Sequence, residues 1–216
     1  MPILTEYNKD WSKLYKAEAK RIKKAFGLKC TATYHIGATA IKNMTARSEI
    51  DILVVLTEKA DLRKLKELGY SLGQESTYSL HTDEMDYTVR LAKNKQIETT
   101  APYLAMTMYL SENKDTAAAF AQKKREIAAE FDHDMDAYLA AKKQLLNEIE
   151  PAALAHKAQR DKATSFLAIG MCLGMSIGMC FGVAMNNIPL GMCIGMGVGM
   201  CLGLAIGNSN TNKSDK

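Results

Sequence analysis

The sequence of 216 residues is poor in the residues that staple or interrupt chains, with five cysteines, four prolines and a single tryptophan, Trp11. So few cysteines exclude a disulfide-stapled mini-protein, and 14 glycines without a three-residue period exclude a collagen. An excess of charge is also missing. The 28 Lys+Arg against 24 Asp+Glu leave a formal +4, so net charge makes no case for nucleic-acid binding. His81, His133 and His156 show no ligand spacing, which argues against a zinc site, and no Ser-His-Asp or Cys-His arrangement is present. The first 30 residues are charged and amphipathic rather than apolar, so no signal peptide is expected. The largest absence is local: between Lys162 and Lys213 there is no Asp, Glu, Lys, Arg or His over 50 residues.

That uncharged stretch carries ten of the 14 glycines and four of the five cysteines, Cys172, Cys180, Cys193 and Cys201. Residues 166–185 and 188–207 form two apolar runs of 20, and 20 helical residues rise about 30 Å, the thickness of a bilayer's hydrocarbon core. The runs repeat one another at an offset of 21, IGMCLGMSIGMCFGVAM against LGMCIGMGVGMCLGLAI. Asn186-Asn187 supplies a polar turn and Pro189 falls in the first turn of the second run, where a missing N–H matters least.

Gly170, Gly174, Gly178 and Gly182 recur every four residues, as do Gly191, Gly195, Gly199, Gly203 and Gly207. Small residues at that interval let a second helix approach backbone to backbone. In water this much glycine would cost a helix about 1 kcal/mol per residue, whereas a bilayer demands internally bonded backbone. The reading is a glycine-zipper transmembrane hairpin, with a homo-oligomer through Gly170, Gly174, Gly178, Gly182, Gly191, Gly195, Gly199 and Gly203 as an expected assembly. Lys157, Arg160, Lys162, Lys213 and Lys216 flank the spans, so the positive-inside rule places the N-terminal domain and both termini in the cytoplasm. The cysteines beside methionine could hold Cu(I), but they read first as small packing residues.

Before the hairpin, Trp11–Phe26 places apolar residues on one helical stripe, with Asn8 or Asp10 as cap and Gly27 as stop. Thr31–Ile36 and Ile50–Leu56 read as strands, Asp61–Leu68 as a short helix, and Ser79–His81 and Tyr87–Leu91 as further strands. Helices follow over Pro102–Leu110, Thr116–Phe131 and Met135–Ile149, the last ended by Pro151. The class is α+β, a small mixed sheet with flanking helices followed by a helical layer. The expected domains are 1–150, a helical linker 151–165, the hairpin 166–207 and a disordered polar tail 208–216.

The chemistry concentrates in HIGATAIKNMTARSEIDILVVL, residues 35–56. Glu49 and Asp51 alternate on one strand face about 6.6 Å apart, so both can face one Mg²⁺. The loop at Gly37 offers unobstructed backbone N–H groups to a phosphate. Asp86 in MDYTVRL is the first candidate for a third carboxylate, with Asp83 and Glu84 as competitors. Cys30 reads as a packed thiol.

Gly37-Ala38, then Glu49-Ile50-Asp51, resembles the paired-carboxylate signature of the nucleotidyltransferase superfamily. His35-Ile36-Gly37, Thr39 and Ile50-Asp51-Ile52 resemble more closely the GrpB family, a branch of that fold, over residues 5–150. Lys124-Arg125-Glu126 and Tyr138 followed by Lys142 are similar to that family's closing pattern. Ala38 stands where the family has serine, Arg47-Ser48 where it has Lys-Pro, and the strand at Tyr87–Leu91 lacks the family's histidines, leaving Arg90 as a substitute phosphate contact. The resemblance implies a nucleotidyltransferase-like fold that binds a nucleotide or other phosphorylated small molecule. His35, Gly37, Thr39, Arg90, Lys124, Tyr138 and Lys142 would bind it, while Glu49 and Asp51, with Asp86, would hold Mg²⁺ for transfer to an unidentified acceptor. Two other functions fit the same residues. One is a catalytically inactive nucleotide-binding regulatory domain; the other is a glycine-zipper membrane assembly regulated by the globular domain.

Overall fold

The apolar stripe starting at Trp11 forms helix α1, Asp10–Phe26, in a computed structural model that describes residues 4–73, 77–93, 101–131 and 134–212. Asn8 Oδ1 accepts the Asp10 N–H at 2.9 Å, and Gly27, at φ 55, turns the chain out of the helix while its N–H reaches the Lys23 carbonyl. Two units follow one another along the chain, Met1–Leu154 and Ala155–Lys216.

In the first unit, strands β1 (Cys30–Ile36), β2 (Glu49–Leu56), β3 (Ser71–Leu72), β4 (Thr77–His81) and β5 (Asp86–Lys93) make one sheet in the order β1-β2-β5-β4-β3. Only β2 and β5 run parallel. A parallel pair needs a crossover, and the segment between them contains helix α2, Arg63–Glu67, together with β3 and β4. Burying β2 on both faces explains its continuous run ILVVL. Ile50, Ile52, Val54 and Leu56 pack with Trp11, Ile22 and Phe26 of α1 and with Leu65 of α2. On the opposite face Ile36, Leu53, Val55 and Ala92 meet Leu104 of helix α3, Ala101–Glu112.

Helix α4, Lys114–Glu130, and the first turns of helix α5, Met135–Ala184, complete this unit. Phe120, Ala121 and Leu145 bury the loop residues Ile41 and Met44 together with Leu110. Ala105, Met106 and Ala153 form a second apolar cluster. The helix expected to stop at Pro151 therefore continues. Proline there removes one backbone bond and crowds the carbonyl four residues earlier, but its neighbours hold the helix, with Ala153 fully buried two positions on.

In the second unit α5 and α6, Ile188–Asn212, are joined by the expected asparagine turn, in which Asn186 takes φ 50 and Asn187 Oδ1 accepts the Leu190 N–H at 3.2 Å. Residues 208–212, expected as disordered, continue α6. His133, Lys213 and Lys216 lie outside the described residues. The glycines face one another across the hairpin. A Cβ on Gly170 would stand 2.9 Å from the Gly203 Cα, one on Gly178 2.9 Å from the Gly195 Cα, and Gly174 meets Gly199 in the same way. The glycine seam expected to join copies is thus filled within a single chain. Leu173, Ile177, Phe181, Ile194 and Val198 remain exposed on the outside, as lipid contact would require.

Candidate functional site

The site lies where β2 and β5 begin. Strand alternation puts Glu49 and Asp51 on one side, Arg47, whose carbonyl accepts the Glu49 N–H at 2.7 Å, comes from the turn just before β2, and the parallel register sets Glu49 beside Asp86, Asp51 beside Thr88 and Leu53 beside Arg90. The Thr88 hydroxyl donates to Glu49 Oε1 at 2.6 Å, and Arg47 forms an ion pair with Glu49 Oε2. Arg90 stacks its guanidinium 4.4 Å from the centroid of the Tyr103 ring. From the helical layer come Lys124 of α4 and, one turn apart on α5, Tyr138 and Lys142.

These groups sit close enough to change one another's ionisation. Burial and the neighbouring Glu49 charge push the Asp51 carboxyl up to about 6, against the pull of Lys142, Arg90 and Arg47. Burial also pushes Glu49 up, but the Thr88 hydroxyl and Arg47 more than reverse this and leave it below its ordinary value. Lys124 is 1% exposed, donates to the Thr45 carbonyl at 2.6 Å, and is lowered to about 7 by burial and by the charges of Lys142 and Arg47. Burial lowers Lys142 as well, opposed chiefly by Asp51. The Tyr138 and Thr45 hydroxyls are buried with no hydrogen-bond partner among the described residues. Buried polar groups are ordinarily bonded, so unbonded ones mark a place where a ligand or water belongs.

The structure thus gathers Glu49, Asp51, Arg90, Lys124, Tyr138 and Lys142. Sequence reasoning left Arg47 out of this set; the turn before β2 and its ion pair with Glu49 bring it in. The other candidates stand elsewhere. His35 pairs with Ile52, so it lies on the sheet face opposite Asp51. It stacks on Tyr15 at 4.6 Å and its Nε2 meets the Thr39 hydroxyl at 3.1 Å, which in turn donates to the Glu49 carbonyl at 3.2 Å. His35 and Thr39 therefore brace the β1–β2 loop from behind. Burial lowers His35 to about 4 and keeps it neutral.

The Gly37 N–H, expected to face a phosphate, donates to the Thr107 hydroxyl at 3.0 Å. The glycine is required for another reason: at φ 76, any Cβ would stand 2.5 Å from Asp51 Oδ2. Asp86 is beside Glu49 in register but turns its carboxylate to the His81 Nδ1, and Asp83 and Glu84 are exposed.

A resident Mg²⁺ does not fit this arrangement. Glu49 is engaged through both oxygens, Arg47, Arg90, Lys124 and Lys142 surround Asp51, and among the described residues no three His, Cys, Asp or Glu side chains converge as ligands.

Comparison with known proteins agrees with both units. Residues 2–152 match the family described as GrpB protein, and residues 160–209 match glycine zipper membrane protein. A UPF0157 protein of Halalkalibacterium halodurans is 28% identical over 68% of this chain and 79% of its own length. The UPF0157 protein YqkA of Bacillus subtilis is 26% identical over 73% of this chain and 48% of its own length. Glutamate-rich protein GrpB of Alkalihalophilus pseudofirmus is 25% identical, with 68% and 92% covered. The crystal structure of conserved protein GrpB from Enterococcus faecalis superposes with a TM-score of 0.62 at 24% identity, covering 72% of this chain and 99% of that one, which supports the fold. With its family match spanning the sheet and helical layer and a glycine-zipper membrane region behind it, the chain belongs to the GrpB family.

Proposed function

We propose that the N-terminal domain is a membrane-tethered receptor for a nucleotide or other phosphorylated small molecule. The observation that carries this is the excess of cations at the mouth of β2 and β5: Arg47, Arg90, Lys124 and Lys142 against Glu49 and Asp51. Arginine forks and a partly desolvated lysine suit phosphate oxygens, and the unpartnered Tyr138 hydroxyl offers a further donor. The binding groups on this reading are Arg47, Arg90, Tyr138 and Lys142. The apolar hairpin would hold the domain at the cytoplasmic face with both termini inside, as the basic flanks favour. Oligomers would use the outer faces of the hairpin, since the glycine seam is already filled.

The test is calorimetric titration of nucleoside triphosphates, and separately inorganic pyrophosphate, into full-length protein in nanodiscs. Binding should weaken at least about tenfold in Lys142→Met and in Arg47→Met, a loss of about 1.4 kcal/mol. Absence of binding by every phosphate compound tried would remove the proposal.

A second reading is nucleotidyl transfer, favoured by the placement of Glu49 and Asp51 on one face of β2, with any Mg²⁺ arriving on the nucleotide's phosphates rather than resident on the two carboxylates. It requires Arg47 to release Glu49. Radiolabelled triphosphate, Mg²⁺ and cell extract would then yield a labelled product that Asp51→Ala abolishes.

A further inference from the structure

No acidic residue stands between Glu18 and Glu49, and three lysines of that interval, Lys23, Lys24 and Lys29, gather at the end of the sheet away from the site. Strand β2 runs from Glu49 at the site to Leu56 at this far end, about 23 Å away. There α1 finishes with Lys23 and Lys24, both exposed, and the following 3-10 turn carries Leu28, 100% exposed, and exposed Lys29. Lys59 follows the end of β2, and Arg63 opens α2. The pieces are fixed together: Thr57 donates to the Lys29 carbonyl at 2.9 Å, and Lys64 reaches the Ala25 carbonyl at 2.5 Å while lying 6.0 Å from the Phe26 ring. Of the acids near this end, Asp61 is held by Arg63 and also feels Lys29, Glu58 is held by Lys93, and Glu67 acts on Arg63, so Lys23, Lys24, Lys29 and Lys59 leave this end with an excess of positive charge.

A single exposed leucine is ordinary. A fully exposed leucine, on a turn flanked by exposed lysines in excess over acids, has the composition of a surface that inserts one apolar side chain and pairs its charges with anionic headgroups. The partner is already close, because the same chain carries the apolar hairpin. We propose that the Lys23–Lys29 end of the domain docks onto the anionic surface of the bilayer that holds the hairpin, leaving the phosphate site at the other end of β2 open to soluble ligand. The docking rests on insertion of the hairpin and is independent of what the site binds.

The test uses the full chain in nanodiscs of phosphatidylcholine alone and with about 30% phosphatidylglycerol, an anionic fraction that gives the surface a negative potential. Lysines are acetylated with a water-soluble reagent and their rates read by mass spectrometry, with Lys114 and Lys143 as references. Lys23, Lys24 and Lys29 should react at least about threefold more slowly on the anionic discs, and high salt should restore the rate. Leu28→Asp and Lys23→Glu/Lys24→Glu alter exposed side chains, and both should lose the protection. Equal rates on the two lipids overturn the proposal, whether the lysines are fast on both or protected on both, since protection without anionic lipid means protein covers them. Co-sedimentation of each variant with vesicles reads hairpin insertion separately. A chain that stays in the supernatant overturns the insertion and the docking with it.

Discussion

Gly37→Ala tests whether the β1–β2 loop and the Asp51 carboxylate are one packed unit. The perturbation adds a single methyl at φ 76 and ψ −171, a conformation open essentially only to glycine, which costs alanine about 1–3 kcal/mol. The new Cβ would also lie 2.5 Å from Asp51 Oδ2 and 3.2 Å from Asp51 Cγ, so the carboxylate must leave its position. Overpacking of this kind adds about 1–3 kcal/mol, giving about 2–6 kcal/mol in all. The measurement is urea unfolding of a chain ending at Leu154, where the first unit ends. Asp51→Ala alone and the double variant complete a mutant cycle. Removing the carboxylate relieves the collision but leaves the backbone strain, so Gly37→Ala should cost about 1–2 kcal/mol less in the Asp51→Ala background. The double variant should remain less stable than Asp51→Ala alone. An equal cost in both backgrounds would refute the contact, and a total below about 1 kcal/mol would refute the strain as well.

Lys124 in the folded state titrates near 7 rather than 10.5, so the native protein releases a proton that the unfolded chain keeps. Stability should therefore be lowest below pH 7 and rise toward pH 10.5. By pH 9.5 the gain should reach about 3 kcal/mol in urea unfolding, and Lys124→Met should flatten that slope. His35 is lowered from 6.5 to about 4, so its contribution is complete above pH 6.5 and is lost as pH falls through 4. His35→Gln should remove about 2–3 kcal/mol of the acid sensitivity in that window, read from urea midpoints at pH 7 and pH 4. In the hairpin, Gly197 has open space at its Cβ position whereas Gly174 meets the Gly199 backbone. Gly197→Ala should be neutral or stabilise by up to about 1 kcal/mol, while Gly174→Ala should speed amide exchange along α6 in micelles. Equal exchange in the two variants would contradict the packing.

Legibility in the sequence depended on whether the signal was local. Helix α1, β1, β2 and β5 carry their periodicity and turn residues within the element, and the structure has them within a residue or two of their expected ends. Strand β3 has two residues, both exposed, and so has no alternation to read. Pro151 broke the helix on paper because proline's penalty is local, while the burial of Ala153 that outweighs it comes from contacts distant in sequence. His35 and Asp51 looked like partners because they share a motif. Their opposite faces follow only from the β1–β2 register, in which Ile36 rather than His35 faces Asp51. Lys124 and Lys142 sit on charged helices whose sequence resembles a solvated surface. Family resemblance marked them, and tertiary burial explains why the marking was needed.

The hairpin shows the reverse, a long-range pairing written in plain sequence. Gly170 faces Gly203, Gly174 faces Gly199, Gly178 faces Gly195 and Gly182 faces Gly191. In every pair the two glycines are equidistant from the boundary between Asn186 and Asn187. An antiparallel hairpin turning at that boundary demands this mirror placement. Parallel association of identical helices from separate chains would be satisfied by any four-residue period and has no use for the mirror. The period alone says that something packs closely against each run; the symmetry about the turn says that the other run does. An oligomer built through these same glycines would first have to open the hairpin, so the faces left for other copies are those bearing Leu173, Ile177, Ile194 and Val198.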